Sequence, residues 1–292
     1  MFPVSTQVLF GQLLVGLING SFYALLALGF AVIFGLLGII NVAQGTFYMI
    51  GAFVGWMLLN YLGLGYWWGI VLSPIIAGLL GMALEKTLIS RMYKLDHIYG
   101  LLLTYGLMMF IMGMFIYFFA TAPRPYPVPA ELRGGYNLGF MFLPTYRAWV
   151  VLVSIVFCFG TWYVIERTPV GRNLRAATEN PMLTRAFGIN VPALLTFGFG
   201  IGVALAGLAG ILAGPIYSVS PLMGGDLVIV VFAVVVVGGM QSILGAIVTG
   251  LALGVLEGFT KVFYPQGANM VIFVIMFIVL MVKPAGLFGQ EK

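Results

Sequence analysis

The sequence predicts an all-α fold, a polytopic transmembrane helical bundle of about eight spans with broken or re-entrant helices. Three observations predict it. Of the 292 residues, 62% are hydrophobic and only 7% charged. A soluble globular chain carries roughly 25% charged residues, and no water-soluble fold hides that much apolar surface. Residues 1–84 contain no Asp, Glu, Lys or Arg; since a ~30 Å hydrocarbon core takes ~20 apolar residues per helix, that stretch holds about three crossings. The charges that do occur lie between apolar runs, so the net charge of +5 reports topology and no nucleic-acid partner is expected.

Charge-poor runs separated by polar or Pro/Gly-rich joints give spans near 8–37, 44–60, 66–84, 98–119, 148–166, 193–214, 226–262 and 270–284. The first and seventh are too long for simple crossings and leave room for an extra crossing or a re-entrant piece. The first ten residues lack the positive stretch of a secretory signal, so the N-terminus is expected to stay on the mature chain. Residues 1–292 form one membrane domain. Short loops rich in Lys and Arg prefer the cytoplasm. Two qualify: 85–97, with Lys86, Arg91 and Lys94, and 166–192, with Arg167, Arg172, Arg175 and Arg185. The C-terminal tail, with Lys283 and Lys292, fits the same side. Residues 121–147, with Pro123, Pro125, Pro127 and Pro129 near its start, then form the largest outside loop.

Two breaks stand out. Residues 227–237 are an apolar run too short to cross, which meets Gly238 and Gly239 before helical sequence resumes at Ile243. In the first half, Gly35, Gly38, Asn41, Gln44 and Gly45 interrupt an otherwise apolar stretch. Gly-interrupted segments in both halves of a membrane chain point to a transport pathway. The polar groups within them, Asn41, Gln44, Thr46, Gln241 and Ser242, are neutral. They suit the transient passage of a small zwitterion or amide, or serve as hydrogen-bonding glue between helices. The candidate path is therefore Asn41, Gln44, Gly45, Gly238, Gly239, Gln241 and Ser242. Small residues at four-residue spacing, Gly198, Gly202, Ala206, Gly210 and Gly214 and then Gly250, Gly254 and Gly258, read as close helix packing, with a dimer face or pore wall as the other reading.

The segment 166–192 reads as two short helices. Thr168 is placed to cap the first with Pro169 following; Asn180 is placed to cap the second with Pro181 following, and Gly188 suits its left-handed end. Leu174, Ala177, Leu183 and Phe187 form apolar patches beside Arg172, Arg175, Glu179 and Arg185. That amphipathic design fits a docking surface for a soluble partner or an interfacial helix lying on lipid headgroups.

Chemistry is sparse. Asp226 stands at a span edge, and Glu257 and Lys261, four apart, can pair on one helix. No chain of buried acids or histidines remains for a proton-driven carrier, although a sodium-driven one that uses backbone carbonyls stays open. His97 is the single histidine and Cys158 the single cysteine. Because His97 stands at a cytoplasmic span boundary, a Ser/His intramembrane protease lacks its base, and no metal site is expected. The one near miss to a phosphate loop, residues 81–87, has Leu80 and Glu85 where the motif needs glycine. No cofactor is expected on this chain, and any ATP is used elsewhere.

Four stretches carry a resemblance: GLINGSFYALLALGFAVIFGLLGIINVAQGTFYMIGAF at 16–53, TPVGRNLRAATENPMLTRAFGIN at 168–190, GGMQSILGAIVTG at 238–250 and KPAGLFG at 283–289. Together they resemble the permeases of branched-chain (hydrophobic) amino acid ABC importers of the LivH type, over essentially the whole chain. The resemblance implies a multi-pass subunit of the bacterial plasma (inner) membrane with a cytoplasmic C-terminus. Its implied partners are a homologous second permease subunit, two cytoplasmic ABC ATPase subunits that use ATP, and an extracytoplasmic substrate-binding protein, with membrane lipid around them. It also implies that 171–190 contacts the ATPases, through Gly171, Arg172, Arg175, Glu179, Asn180, Arg185 and Gly188. Gln44 departs from the family pattern, which commonly has histidine there. That leaves open a relative specialised for urea, short amides or aromatic acids. A self-sufficient secondary carrier and a non-transporting scaffold are the readings from other classes.

Overall fold

The computed structural model describes residues 6–93, 95–139 and 142–289, apart from the side chains of His97 and Asn269. Lys94, Lys292 and the His97 side chain, used in the sequence reading, lie outside this set. Among the described residues seven helices are long and apolar enough to cross a membrane: α1 (Thr6–Leu37), α2 (Gln44–Leu62), α3 (Tyr66–Thr87), α4 (His97–Phe119), α5 (Thr145–Arg167), α8 (Val191–Tyr217) and α10 (Ile243–Phe263). Two short helices, α6 (Pro169–Glu179) and α7 (Pro181–Ala186), separate α5 from α8; α9 (Gly225–Gly238) and α11 (Ala268–Val282) are apolar but shorter than a crossing. The multi-pass membrane bundle with broken helices is thus borne out. The over-long stretch 226–262 divides into α9 and α10, whereas 8–37 stays one unbroken helix. At ~1.5 Å per residue, the 32 residues of α1 reach ~48 Å, well beyond the hydrocarbon core.

Small residues hold the bundle together, since lipid supplies no hydrophobic force between helices. The second glycine stripe packs α10 antiparallel on α1. A Cβ built at Gly254 would lie 2.2 Å from Cα of Gly20, and one at Gly258 would lie 2.5 Å from the carbonyl of Gln12. In α8 the other stripe approaches α1 and α2: Gly202 faces the Gly29 carbonyl and Gly210 the Tyr48 carbonyl, while Gly207 faces Ala77 of α3. These backbone seams place α8 at the centre. By contrast α4, α11 and much of α3 present exposed side chains such as Phe110, Tyr117, Phe277, Met281, Trp68 and Leu79, the outer surface that lipid or another subunit covers. The Glu257 pair forms as read: Lys261 donates to its Oε1 and Tyr23 to its Oε2, at 2.5 and 2.7 Å.

The loop between α4 and α5 folds over the end of the bundle opposite α6 and α7. It contains a short antiparallel pair, β1 (Gly135–Asn137) with β2 (Phe142–Pro144). It is tied down where Arg124 pairs by backbone with Val219 and its guanidinium lies 4.7 Å from the Trp56 ring, and where Tyr146 donates to the Leu212 carbonyl.

Candidate translocation path and coupling surface

The α6–α7 segment is built by local capping. Thr168 does not cap α6 as expected; its hydroxyl donates back to the Val164 carbonyl, a hydrogen bond available to any threonine at the end of a helix. It therefore finishes α5 instead of opening α6. The turn is held from elsewhere. Gly171 sits directly on the Ile165 carbonyl, where a Cβ would lie 1.7 Å away. Arg175 donates to that same carbonyl at 2.9 Å and pairs with Glu166 at 3.3 Å. The second cap forms as read: the Asn180 side chain accepts from the Leu183 N–H at 3.0 Å, and Gly188 has φ +80°. Sequence reasoning missed Thr184, which is buried and donates to Ala176 and Asn180, and Asn190, whose side chain caps α8 through the Ala193 N–H.

Amphipathic α6 buries Gly171, Leu174 and Ala177, while α7 turns its apolar side chains outward. Met182 is 84% exposed, Phe187 77% and Leu183 55%, with Arg172, Glu179 and Arg185 exposed beside them. The seven residues read as a coupling surface thus share one end of the bundle. Beneath them lies a buried carboxylate that the sequence did not single out. Glu85, the single acid of α3, accepts from Tyr93 and from Thr196 of α8, and ties three elements together at this end.

The break after α9 opens on the same end. Gly239 has φ +98°, where a side chain is strained, and the Ser242 hydroxyl accepts from the Gly245 N–H at 3.0 Å to start α10. The final carbonyls of α9 have no helical partner. Residues 283–289, known from sequence only as a matching motif, fold back to supply donors: Leu287 N–H to Val237 at 2.8 Å and Phe288 N–H to Gly238 at 3.2 Å. A cavity of about 410 Å³ joins the break to the α6 surface, lined by Gln241, Ser242, Glu166, Arg175, Glu179 and Phe288 among others. Truncation after Val282 should leave those α9 carbonyls without protein donors. Two lost hydrogen bonds at ~1 kcal/mol each give a lower melting temperature in detergent. An unchanged melting temperature would mean that the tail is not a cap.

The first break lies elsewhere. Residues 38–43 turn back into the bundle, held by Thr104 of α4, which donates to the Ile40 carbonyl and accepts from the Val42 N–H. Asn41 and Gln44 are buried. Gln44 Nε2 donates to the Gly202 carbonyl at 3.0 Å, and Asn41 Nδ2 to Gln44 Oε1 at 3.4 Å. Because Gly202 stands 11 residues beyond the start of α8, α2 begins about 16 Å inside the bundle at ~1.5 Å per residue. There Gly45 meets Gly224, the residue before α9, so closely that a Cβ on Gly45 would lie 2.2 Å from the Gly224 carbonyl oxygen. Two helices therefore start in mid-bundle and run in opposite directions. The candidate path residues fall into two groups at opposite ends of α9: Asn41, Gln44 and Gly45 at this junction, and Gly238, Gly239, Gln241 and Ser242 by the cavity. The partner of the first break is 218–224, marked in sequence only by Pro221 and the pair Gly224 and Gly225.

A multi-pass bundle with half-length helices and a pair of short amphipathic helices at one end defines a membrane transport subunit. The chain belongs to the family described as branched-chain amino acid transport system, permease component, whose profile matches residues 12–281. It is 29% identical to the high-affinity branched-chain amino acid transport system permease protein LivH of Escherichia coli (strain K12), over 96% of each chain. It is 26% identical to the corresponding permease protein LivM of the same strain, over 92% of this chain and 68% of that one. Among solved structures, PsaBC from Streptococcus pneumoniae in complex with Fab shares the fold, with a TM-score of 0.50 at 14% identity over 92% of this chain and 89% of that one. The resemblance read from the four sequence stretches is borne out.

Proposed function

We propose that this chain is the permease subunit of an ATP-driven, binding-protein-dependent importer for branched-chain and other hydrophobic amino acids in a bacterial inner membrane. The observation that carries the mechanism is the α7 surface. Met182, Leu183 and Phe187 stand exposed on a segment capped by Asn180 that backs onto the cavity and the helix break. Apolar side chains presented on a rigid helix suit insertion into a groove of a partner protein. In this reading α6 and α7 face the cytoplasm, with the C-terminus on the same side, and take up movement from ATPase subunits. Arg175 and Glu166 transmit it to α5, and the cavity transmits it to the α9–α10 break. A second, homologous permease completes the path, a pairing supported by the similarity of this chain to both LivH and LivM. An extracytoplasmic binding protein delivers the solute to the opposite end.

Purified permease pair, ATPases and binding protein in proteoliposomes should accumulate leucine only with ATP inside and binding protein outside. Leucine uptake driven by an ion gradient through the permease alone would reject this reading.

A further inference from the structure

We propose that Asp226 is a binding-site carboxylate within the membrane, receiving the ammonium group of the transported amino acid; this rests on the import reading above. Depth is the first observation. Asp226 lies 12 residues before Gly238, the end of α9 that meets the C-terminal tail, about 18 Å away at ~1.5 Å per residue. Its neighbour Gly224 touches Gly45 at the junction already placed about 16 Å along α8 by the Gln44 bond. Two independent rulers thus put this carboxylate near the middle of a ~30 Å hydrocarbon layer.

Its surroundings are the second. Asp226 is exposed and makes no hydrogen bond or ion pair among the described residues; Ile229, one turn further along α9, is 59% exposed, and Leu222 in the preceding turn 47%. A charged group facing lipid at that depth is costly and is rarely left without a partner. The backbone just before it, 218–224, is non-helical, and irregular backbone is tolerated at membrane depth only against protein or a water-filled cavity. That backbone packs within this chain, Val219 on Arg124 and Gly224 on Gly45, so the exposed Asp226 carboxylate is the group on this flank that needs a cover other than lipid.

The chemistry of the junction selects the ligand. Asn41, 1% exposed, leaves its Oδ1 without a hydrogen-bond partner, so a neutral acceptor lies buried in the turn just before Gly45. The Asp226 carboxylate only accepts, and a cationic donor with several N–H groups satisfies it. An ammonium group supplies three. A cation on the second permease subunit is the competing occupant, and the experiment separates the two.

The complete importer would be reconstituted with wild-type chain, Asp226→Asn and Asp226→Glu, and ATP-dependent leucine uptake measured at saturating binding protein. Loss of a charge-assisted hydrogen bond is expected to lower Asp226→Asn uptake by about tenfold or more. Asp226→Glu should recover most of it, and each variant should co-purify with the second permease and the ATPases in wild-type amounts. Asp226→Asn uptake within about twofold of wild type would overturn the proposal and leave the import reading standing. Loss of the second permease from the Asp226→Asn complex would also overturn it, by identifying an inter-subunit ion pair. Wild-type vesicles that take up no leucine with ATP would overturn the import reading, and this site with it.

Discussion

Replacing Met182 and Phe187 together by aspartate should uncouple the permease from its ATPases while leaving the chain inserted and folded. Both side chains point out of α7, at 84% and 77% exposure, and the helix is held by other groups: the Asn180 cap, the buried Thr184 hydroxyl and the left-handed Gly188. An apolar anchor at the centre of a protein interface is worth 2 kcal/mol or more. Two anchors lost, and two carboxylates desolvated in their place, should weaken docking by a factor of about 10³. The measurement is co-purification of the ATPases with the variant, together with stimulation of ATP hydrolysis by loaded binding protein. Undiminished docking with the variant would assign α7 to the lipid headgroups, where an amphipathic helix also fits, and the coupling role would have to move to α6.

The outcome turns on a segment that was largely legible before any coordinates. Capping is a local code, so Asn180 with Pro181 and Gly188 could be read within ten residues of sequence. The same holds for the end of α9, where an apolar run too short to cross meets two consecutive glycines. Thr168 shows the limit of that code, because a threonine between two helices can serve either, and here it bonds back to Val164. What sequence could not supply was depth. Gln44 finds its partner Gly202 158 residues away, and the contact of Gly45 with Gly224 is backbone on backbone, so neither side leaves a side-chain signature. The C-terminal motif was visible only as a matching string, since its function as donor to the α9 carbonyls depends on where α11 brings it. Asp226 reads from sequence as the edge of a span because it is the first residue of an over-long apolar stretch. In the fold it stands in the first turn of α9, two residues after the Gly224 contact with Gly45.

The Gly45–Gly224 contact is the tightest backbone approach among the candidate path residues. Gly45→Ala adds one methyl group, whose carbon would stand 2.2 Å from the Gly224 carbonyl oxygen and 3.1 Å from the Val228 Cβ. In most overpacked cores a side chain gives way at a cost of 1–3 kcal/mol. Here the obstacle is backbone, so α2 and α9 must separate. Their separation pulls on Gln44, which ties the start of α2 to α8, and on Val228, in the first turn of α9 next to Asp226. Alanine is otherwise the better helix former by about 1 kcal/mol, so any loss comes from the contact and not from helix propensity. Gly113→Ala on α4, where a Cβ meets nothing within 4 Å, is the matched control and should leave uptake and expression unchanged. Gly45→Ala should lose at least nine-tenths of uptake, an effect of about 1.4 kcal/mol, with at most a minor fall in the amount of inserted subunit. If uptake and inserted protein fall by the same factor, the junction serves only to hold the bundle together, and the path must run along the other flank of α9.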